Sequence, residues 1–182
     1  MADKKECCAL YPKDGYSAVL WPNPDYPLTM EEICMKDLPE GTPFKIILRS
    51  EYPIDDVEFQ EAFMTDFSNS HGHGLGYYKF MEQKESKSYT APKAVDPVPA
   101  NIVVNMDAAR KVWRDRLART AKAKIAELRD LHDQYVDEGR SVDLVMERRK
   151  ALRDIVNDPA IDAAKTLDEL KAFWPAILEE AV

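Results

Sequence analysis

The stretch NMDAARKVWRDRLARTAKAKIAELRDLHDQYVDEGRSVDLVMERRKALRDIVNDP, residues 105–159, decides the fold of the C-terminal part of this 182-residue chain. The residues of its mainly apolar stripe recur at steps of three or four, as on one face of a helix: Trp113, Leu117, Ala121, Ile125, Leu128, His132 and Tyr135. Gly139 is a typical helix stop, and Ser141 can cap a second helix that ends before Pro159. A turn this short predicts an antiparallel helical hairpin.

The residues before this hairpin are predicted to form strands and turns, and the residues after it are predicted to form a short helix. Seven of the 12 prolines lie in the first 53 residues, where they prevent long helices and favour strands and turns. Alternation and turn residues predict strands at three places: residues 16–21, 44–49 and 76–81. The spacing of phenylalanines predicts a short helix over residues 55–67, and Thr-Leu-Asp-Glu at 166–169 is a capping box that opens another.

These elements predict an α+β fold with two parts. A small N-terminal β-containing module occupies residues 1–81, and the helical hairpin with its short third helix occupies residues 105–182. Residues 82–104 contain a Lys-, Ser-, Ala- and Pro-rich stretch and are predicted to form a linker. Three of the six glycines lie within residues 68–76, which predicts a flexible loop.

Composition and charge exclude several classes of protein. The chain is 45% hydrophobic and 32% charged, as globular proteins are, and no apolar run reaches the roughly 18–20 residues that span a bilayer. A net charge of −8, mostly from residues 1–100, opposes binding to nucleic acid. Three cysteines at positions 7, 8 and 34 form neither an even set nor a CxxC motif, which favours a reducing compartment such as a cytosol.

The residues that could carry chemistry form no complete constellation. His71 and His73 sit close enough in sequence to bind one metal ion, but the third histidine, His132, belongs to the hairpin. A mobile polar loop is the preferred interpretation, and a metal-dependent hydrolase is the alternative. Neither a Cys/His pair at catalytic spacing, nor a G-x-S-x-G elbow, nor a P-loop occurs. We therefore expect no catalytic residue, no metal, no cofactor and no enzymatic activity.

Aromatic side chains are the candidate partner-binding residues: Trp21, Phe44, Phe63, Trp113, Phe173 and Trp174. For the last three, a place in the small helical core is the competing interpretation. Trp21 precedes Pro22-Asn23-Pro24 and is either a lid on the core or an exposed anchor.

Seven basic residues between positions 110 and 124 predict a solvated helix face, with an acidic partner as the alternative: Arg110, Lys111, Arg114, Arg116, Arg119, Lys122 and Lys124.

Two segments of the chain resemble one family. Residues 37–47, followed by Tyr-Pro-Ile-Asp-Asp at 52–56, Phe59 and Ala-Phe at 62–63, are similar to the pattern V-P-x-G-x-P-[YF]-[KR]-I, L-P-x-D-R and F-[RK]-x-A-W of small tailed-phage proteins encoded near tail fibre genes. In that pattern Tyr52 replaces the usual Leu, and Phe63 replaces Trp.

The C-terminal motifs resemble the helical domain of the same proteins and are the more specific, because several occur in a fixed order over some 70 residues: NMDAAR at 105–110, RDR at 114–116, RKALRD at 149–154, DPAIDAA at 158–164, TLDELK at 166–171 and WP at 174–175.

The resemblance implies a tail fibre assembly protein, whose partner is the phage tail fibre protein. Such a chain is expected to act as a chaperone in the host cytoplasm, binding the fibre and assisting its folding, trimerisation or attachment. The alternative that the resemblance leaves open is a structural adaptor, retained in the virion tail and bound to other tail or baseplate proteins.

Overall fold

The chain folds into two compact units, which meet in sequence at residues 105 and 106. A computed structural model describes residues 4–180. The first unit is built on a small antiparallel sheet and the second is helical, so the predicted α+β class is confirmed. Residues 82–104, which were predicted as a linker, lie within the first unit.

Within residues 4–105, six strands form two sheets: β1 Cys7–Lys13, β2 Tyr16–Leu20, β3 Pro43–Leu48, β4 Phe63–Met64, β5 Gly72–His73 and β6 Val103–Val104. The main sheet is antiparallel with the order β2-β1-β3-β5, and β4 pairs with β6. The strands predicted at residues 16–21 and 44–49 are confirmed as β2 and β3.

Proline and glycine fix the register of the main sheet. Asp14 and Gly15, with φ of 47° and 88°, make the two-residue turn that joins β1 to β2 and pairs Lys13 with Tyr16. The β1–β3 pairing ends at Leu10 and Lys45. The next hydrogen-bonded pair in this register would join Pro12 to Pro43, and because proline has no N–H, the ladder cannot continue.

Both faces of the main sheet are covered. Helix α1, Met30–Asp37, packs on the face that carries Cys7, Ala9, Phe44 and Ile46. On the opposite face, Lys45 donates to the carbonyl of Asp66 at 2.7 Å, and the Ser17 hydroxyl accepts from the Thr65 N–H at 2.8 Å. Residues between β3 and β5 therefore form the second cover.

Several N-terminal predictions are wrong. Residues 76–81, predicted as a strand, belong to helix α2, Tyr77–Glu85, whose Phe80 is fully buried. Helix α1 forms in the proline-rich region predicted to hold only strands and turns, because its eight residues fit between prolines and Thr29 and Glu32 complete a capping box. The helix predicted over residues 55–67 is instead a kinked 3-10 segment, Ile54–Ala62, followed by β4.

The glycine-rich segment at residues 68–76, predicted as a flexible loop, is fastened to the end of α1. The N–H groups of Leu75 and Gly76 donate to the carbonyls of Met35 and Leu38 at 2.8 and 2.9 Å. Gly74 exchanges backbone hydrogen bonds with Thr42 and Gly41. A side chain at Gly74 would meet the carbonyl oxygens of Pro39 and Leu38 at 2.4 and 2.5 Å, so only glycine fits.

The second unit confirms the predicted hairpin. Between residues 106 and 180 the structure has four α-helices: α3 Met106–Asp137, α4 Asp143–Asp154, α5 Pro159–Ala163 and α6 Leu167–Ala172. Gly139, with φ of 64°, ends α3 in the way glycine commonly does, and the Thr166 hydroxyl accepts from the Glu169 N–H to open α6. Asp107 lies in the first turn of α3, where its carboxylate accepts a hydrogen bond from Arg110 at 2.7 Å.

Candidate binding surface

An open groove of about 310 Å³ lies in the first unit at the carboxyl ends of β2 and α1. Eight residues line it: Leu20, Trp21, Pro22, Asn23, Tyr26, Ile33, Lys36 and Asp37. Ile33 is buried, whereas Trp21 and Tyr26 remain 37% and 41% exposed. Solvent-exposed aromatic rings beside an apolar residue are typical of surfaces that bind a partner's side chain. We call this feature the Trp21 groove.

Neighbouring residues hold both rings of the Trp21 groove in place. Trp21 contacts the edge of the buried Tyr52, with ring centres 5.3 Å apart, and the Arg49 guanidinium lies 4.9 Å from the Trp21 ring centre. On the other side, the Lys36 ammonium lies 4.9 Å from the Tyr26 ring centre and pairs with Asp37 at 2.7 Å. The groove is thus an aromatic surface with a cation on each ring.

The structure divides the six predicted partner-binding residues. Trp21 is exposed and combines both predicted roles, because it covers Tyr52 and still faces solvent. Phe44, Phe63 and Trp113 are almost completely buried, so the structure does not bring them to a partner surface. Phe173 and Trp174 are half-buried.

Trp113 belongs to the helical core that was its competing interpretation. Its indole N–H donates to the carbonyl of Phe173 at 3.2 Å, and its ring centre lies 5.9 Å from that of Trp174. These contacts join α3 to the residues that follow α6.

Sequence reasoning missed Tyr26, Lys36 and Arg49. The available signal was the spacing of Trp21 and Tyr26 within the segment WPNPDYP, because prolines hold neighbouring aromatic rings outside regular structure. Lys36 and Arg49 come from α1 and from the residues after β3, and only tertiary structure brings them to these rings.

His71 has a structural role in the described part of the chain. Its Nδ1 accepts from the Ile46 N–H at 2.9 Å, and its Nε2 lies 3.2 Å from the carbonyl oxygen of Asp96, to which the neutral ring donates. Both ring nitrogens are occupied, so the imidazole ties β3 to residue 96. Within residues 4–180, no group of three His, Cys, Asp or Glu side chains could hold a metal ion.

Cys8 and Cys34 lack the character of nucleophiles. Cys7, Cys8 and Cys34 are free and buried. Burial raises the pKa of the Cys8 thiol to about 12, and burial likewise raises the pKa of Cys34. A thiol must lose its proton to act as a nucleophile. At neutral pH the thiols of Cys8 and Cys34 keep their protons, so these two residues act as core residues.

A buried carboxylate cluster on α1 holds residues 84–95 against the rest of the first unit. Glu32, 5% exposed, accepts hydrogen bonds from Lys84 at 3.1 Å and from the Tyr89 hydroxyl at 2.8 Å, besides closing the α1 cap. The neighbouring Glu31 accepts from the Val95 N–H at 2.6 Å. These hydrogen bonds explain why this part of the predicted linker belongs to the first unit.

Protonation of this cluster differs from that of exposed side chains. Burial raises the pKa of Glu32, but hydrogen bonds from Thr29, Tyr89 and Lys84 outweigh it and hold the pKa below its ordinary value of 4.5. Burial and its hydrogen bond to the Glu32 carboxylate raise the pKa of Tyr89 to about 12. The cluster is therefore fully formed at neutral pH.

Glu32→Gln should destabilise the first unit by about 1–3 kcal/mol at pH 7, because Lys84 loses its charged partner. The folded pKa lies below the unfolded value, so the Glu32 contribution is present above about pH 4.5 and declines as the pH falls through the folded pKa. Urea unfolding at pH 7 and pH 3 should show a smaller difference between variant and wild type at pH 3. Glu82→Gln, on an exposed side chain of α2, is the control and should change neither value.

Most of the basic segment on α3 is used within the second unit. The Arg110 guanidinium donates to the carbonyl of Ala164 at 2.7 Å, and Arg114 pairs with Asp162 at 2.6 Å. Arg116 lies over the rings of Trp113 and Trp174, and Lys124 donates to the carbonyl of Glu180. The predicted solvated face is therefore wrong for these four residues, and Lys111, Arg119 and Lys122 remain exposed.

Comparison with protein-family models, with curated proteins and with solved structures gives no match. In the described residues 4–180, no helix combines the length and the apolar character needed to cross a membrane.

Proposed function

We propose that this protein is a non-enzymatic assembly factor that binds a phage tail fibre chain through the Trp21 groove before the fibre is complete. The observation that carries the proposal is the pair of exposed rings, Trp21 and Tyr26, held at fixed positions beside the buried Ile33. The sequence resemblance to tail fibre assembly proteins supplies the identity of the partner. The proposed place of action is the host cytoplasm during assembly.

The shape and chemistry of the groove suit an extended segment of a partner. A fibre subunit leaves strand edges and apolar side chains uncovered until its trimer closes, and such edges aggregate when they stay exposed. An apolar side chain of that subunit can pack in the groove beside Trp21, Tyr26 and Ile33, and Lys36 and Asp37 supply its charged edge. Binding of this kind is reversible, as a chaperone requires.

Trp21→Ala should reduce soluble fibre at least about fivefold when the two proteins are coexpressed, because a buried aromatic anchor contributes 2 kcal/mol or more, about thirtyfold in affinity. The readout is the yield of soluble fibre trimer on a non-denaturing gel. Because Trp21 also covers Tyr52, the unfolding midpoint of the variant is measured in parallel.

Two further variants separate binding from folding. Tyr26→Ala removes the other wall of the groove and should also reduce the yield. Tyr78→Ala removes an 88% exposed ring on α2, outside the groove, and should leave the yield unchanged. Equal yields for Trp21→Ala, Tyr26→Ala and wild type would contradict the proposal.

The competing structural role is distinguished by copy number in the virion. A chaperone leaves the fibre before the phage is complete, whereas an adaptor stays in the tail. Mass spectrometry of purified virions should therefore detect fewer copies of this chain than of the fibre, and equal copy numbers would assign it to the tail structure.

A further inference from the structure

A line of exposed residues runs along α3 on the side away from the core of the second unit. It has seven members: Lys111, Asp115, Ala118, Lys122, Ala126, Arg129 and Asp133. Successive members are three or four residues apart, which keeps all seven on one side of the helix over 22 residues, about 33 Å. The buried side chains of α3, such as Trp113 and Leu117, occupy other positions and face α4 and α6.

The charges along this line are complementary to the same line read backwards. Reversal about Lys122 places Lys111 opposite Asp133 and Asp115 opposite Arg129, so both charged pairs have opposite signs. The same reversal places Ala118 opposite Ala126, whose small side chains allow two helices to approach closely. Over the whole helix, positive charges exceed negative charges by five in residues 106–124, and negative charges exceed positive charges by three in residues 125–137.

We infer that two copies of this chain associate through the exposed line of α3, with the two helices antiparallel and related by a twofold axis at Lys122. A twofold interface requires one surface to be complementary to itself, which is the property of this line. Each of the two ion pairs, Lys111 with Asp133 and Asp115 with Arg129, then occurs twice. Charge complementarity of this kind fixes register and orientation.

One position opposes the association. Lys122 meets its own copy at the twofold axis, where two like charges repel each other. This repulsion makes the twofold arrangement testable, because only pairing with a second copy places two Lys122 side chains next to each other.

Sedimentation velocity of the full chain over a range of concentrations should detect a reversible dimer at 50 mM NaCl. At 500 mM NaCl the dissociation constant should rise by about tenfold, because salt screens ion pairs at a surface. A chain that stays monomeric at every concentration in 50 mM NaCl would overturn the inference.

Charge exchange tests the pairing residue by residue. Lys111→Glu should raise the dissociation constant about tenfold, and Lys111→Glu combined with Asp133→Lys should restore it to within about threefold of wild type. Lys150→Glu, an equal charge change on the exposed side of α4, should have less effect than Lys111→Glu. Equal effects of Lys111→Glu and Lys150→Glu would overturn the inference.

Two more variants protect the test against unfolding. Arg129→Glu, with restoration by Asp115→Lys, repeats the exchange at the second pair, and circular dichroism compares the helix content of every variant. Lys122→Ala should lower the dissociation constant about threefold, because it removes the repulsion at the axis. A weaker dimer in Lys122→Ala would contradict the antiparallel arrangement.

Discussion

Gly74→Ala should destabilise the first unit by about 3–5 kcal/mol, the largest effect we expect of one methyl group in this chain. The added Cβ would stand 2.4 Å from the carbonyl oxygen of Pro39 and 2.5 Å from that of Leu38. Both neighbours are backbone atoms, so no side chain can rotate away. The segment must move instead, which breaks the hydrogen bonds from Leu75 and Gly76 to the end of α1.

Other positions of the same segment provide controls for Gly74→Ala. Gly76→Ala meets no atom but is strained by a φ of 74° and a ψ of 158°, and should cost about 1–3 kcal/mol. Asn69→Ala changes an exposed side chain and should cost less than about 0.5 kcal/mol. Urea unfolding of the three variants should give this order. A Gly74→Ala protein as stable as Asn69→Ala would mean that the segment is a loose loop.

Trp113→Ala should unfold the second unit or destabilise it by about 3–5 kcal/mol. The indole is only 3% exposed, and its removal leaves a cavity under Trp174 and takes the hydrogen bond from the Phe173 carbonyl. Arg116 also loses one of the two rings over which it lies. Amide hydrogen exchange of the full chain should show lost protection in α3 and α6.

Trp174→Ala is the matched control for Trp113→Ala, because Trp174 is half-buried and its ring packs against the ring of Trp113. Its cost should be clearly smaller, about 1–2 kcal/mol. Protection in β1 and β3 should be unchanged in both variants. Equal losses of stability would show that Trp113 is not the centre of the helical core.

The second unit was largely predictable because its signals are local. Steps of three and four residues, Gly139 at a helix end and Thr166 before α6 each act within a few positions of the chain. The structure confirms the hairpin and the short last helix from these signals. Helix α5 is not predicted because a proline commonly follows the end of a helix, whereas Pro159 opens the next one, with Asp158 as its cap.

The first unit was predicted less well because its determinants are distant in sequence. Strand β1 shows no alternation, since both of its faces are buried, and Cys7, Cys8 and Ala9 are not typical strand residues. The glycine-rich segment is rigid only because Met35, Leu38 and Thr42 accept its N–H groups. Composition alone cannot reveal such partners, and it indicated flexibility.

The candidate site was only partly predictable for the same reason. Trp21 was identified from its place before two prolines, and exposure confirms that its ring faces solvent. Phe44 and Phe63 are also aromatic residues in the N-terminal module, yet both are buried by tertiary packing. No local sequence pattern indicates this burial. Aromatic character therefore identifies candidates, and tertiary packing decides which of them meet a partner.

The proposal that this chain binds an unassembled fibre subunit is tested most directly by coexpression with the neighbouring tail fibre gene, followed by size-exclusion chromatography. We predict that the two chains elute together and that the soluble fibre decreases when this chain is omitted. Fibre that is equally soluble without this chain, with no shared elution peak, would contradict the proposal.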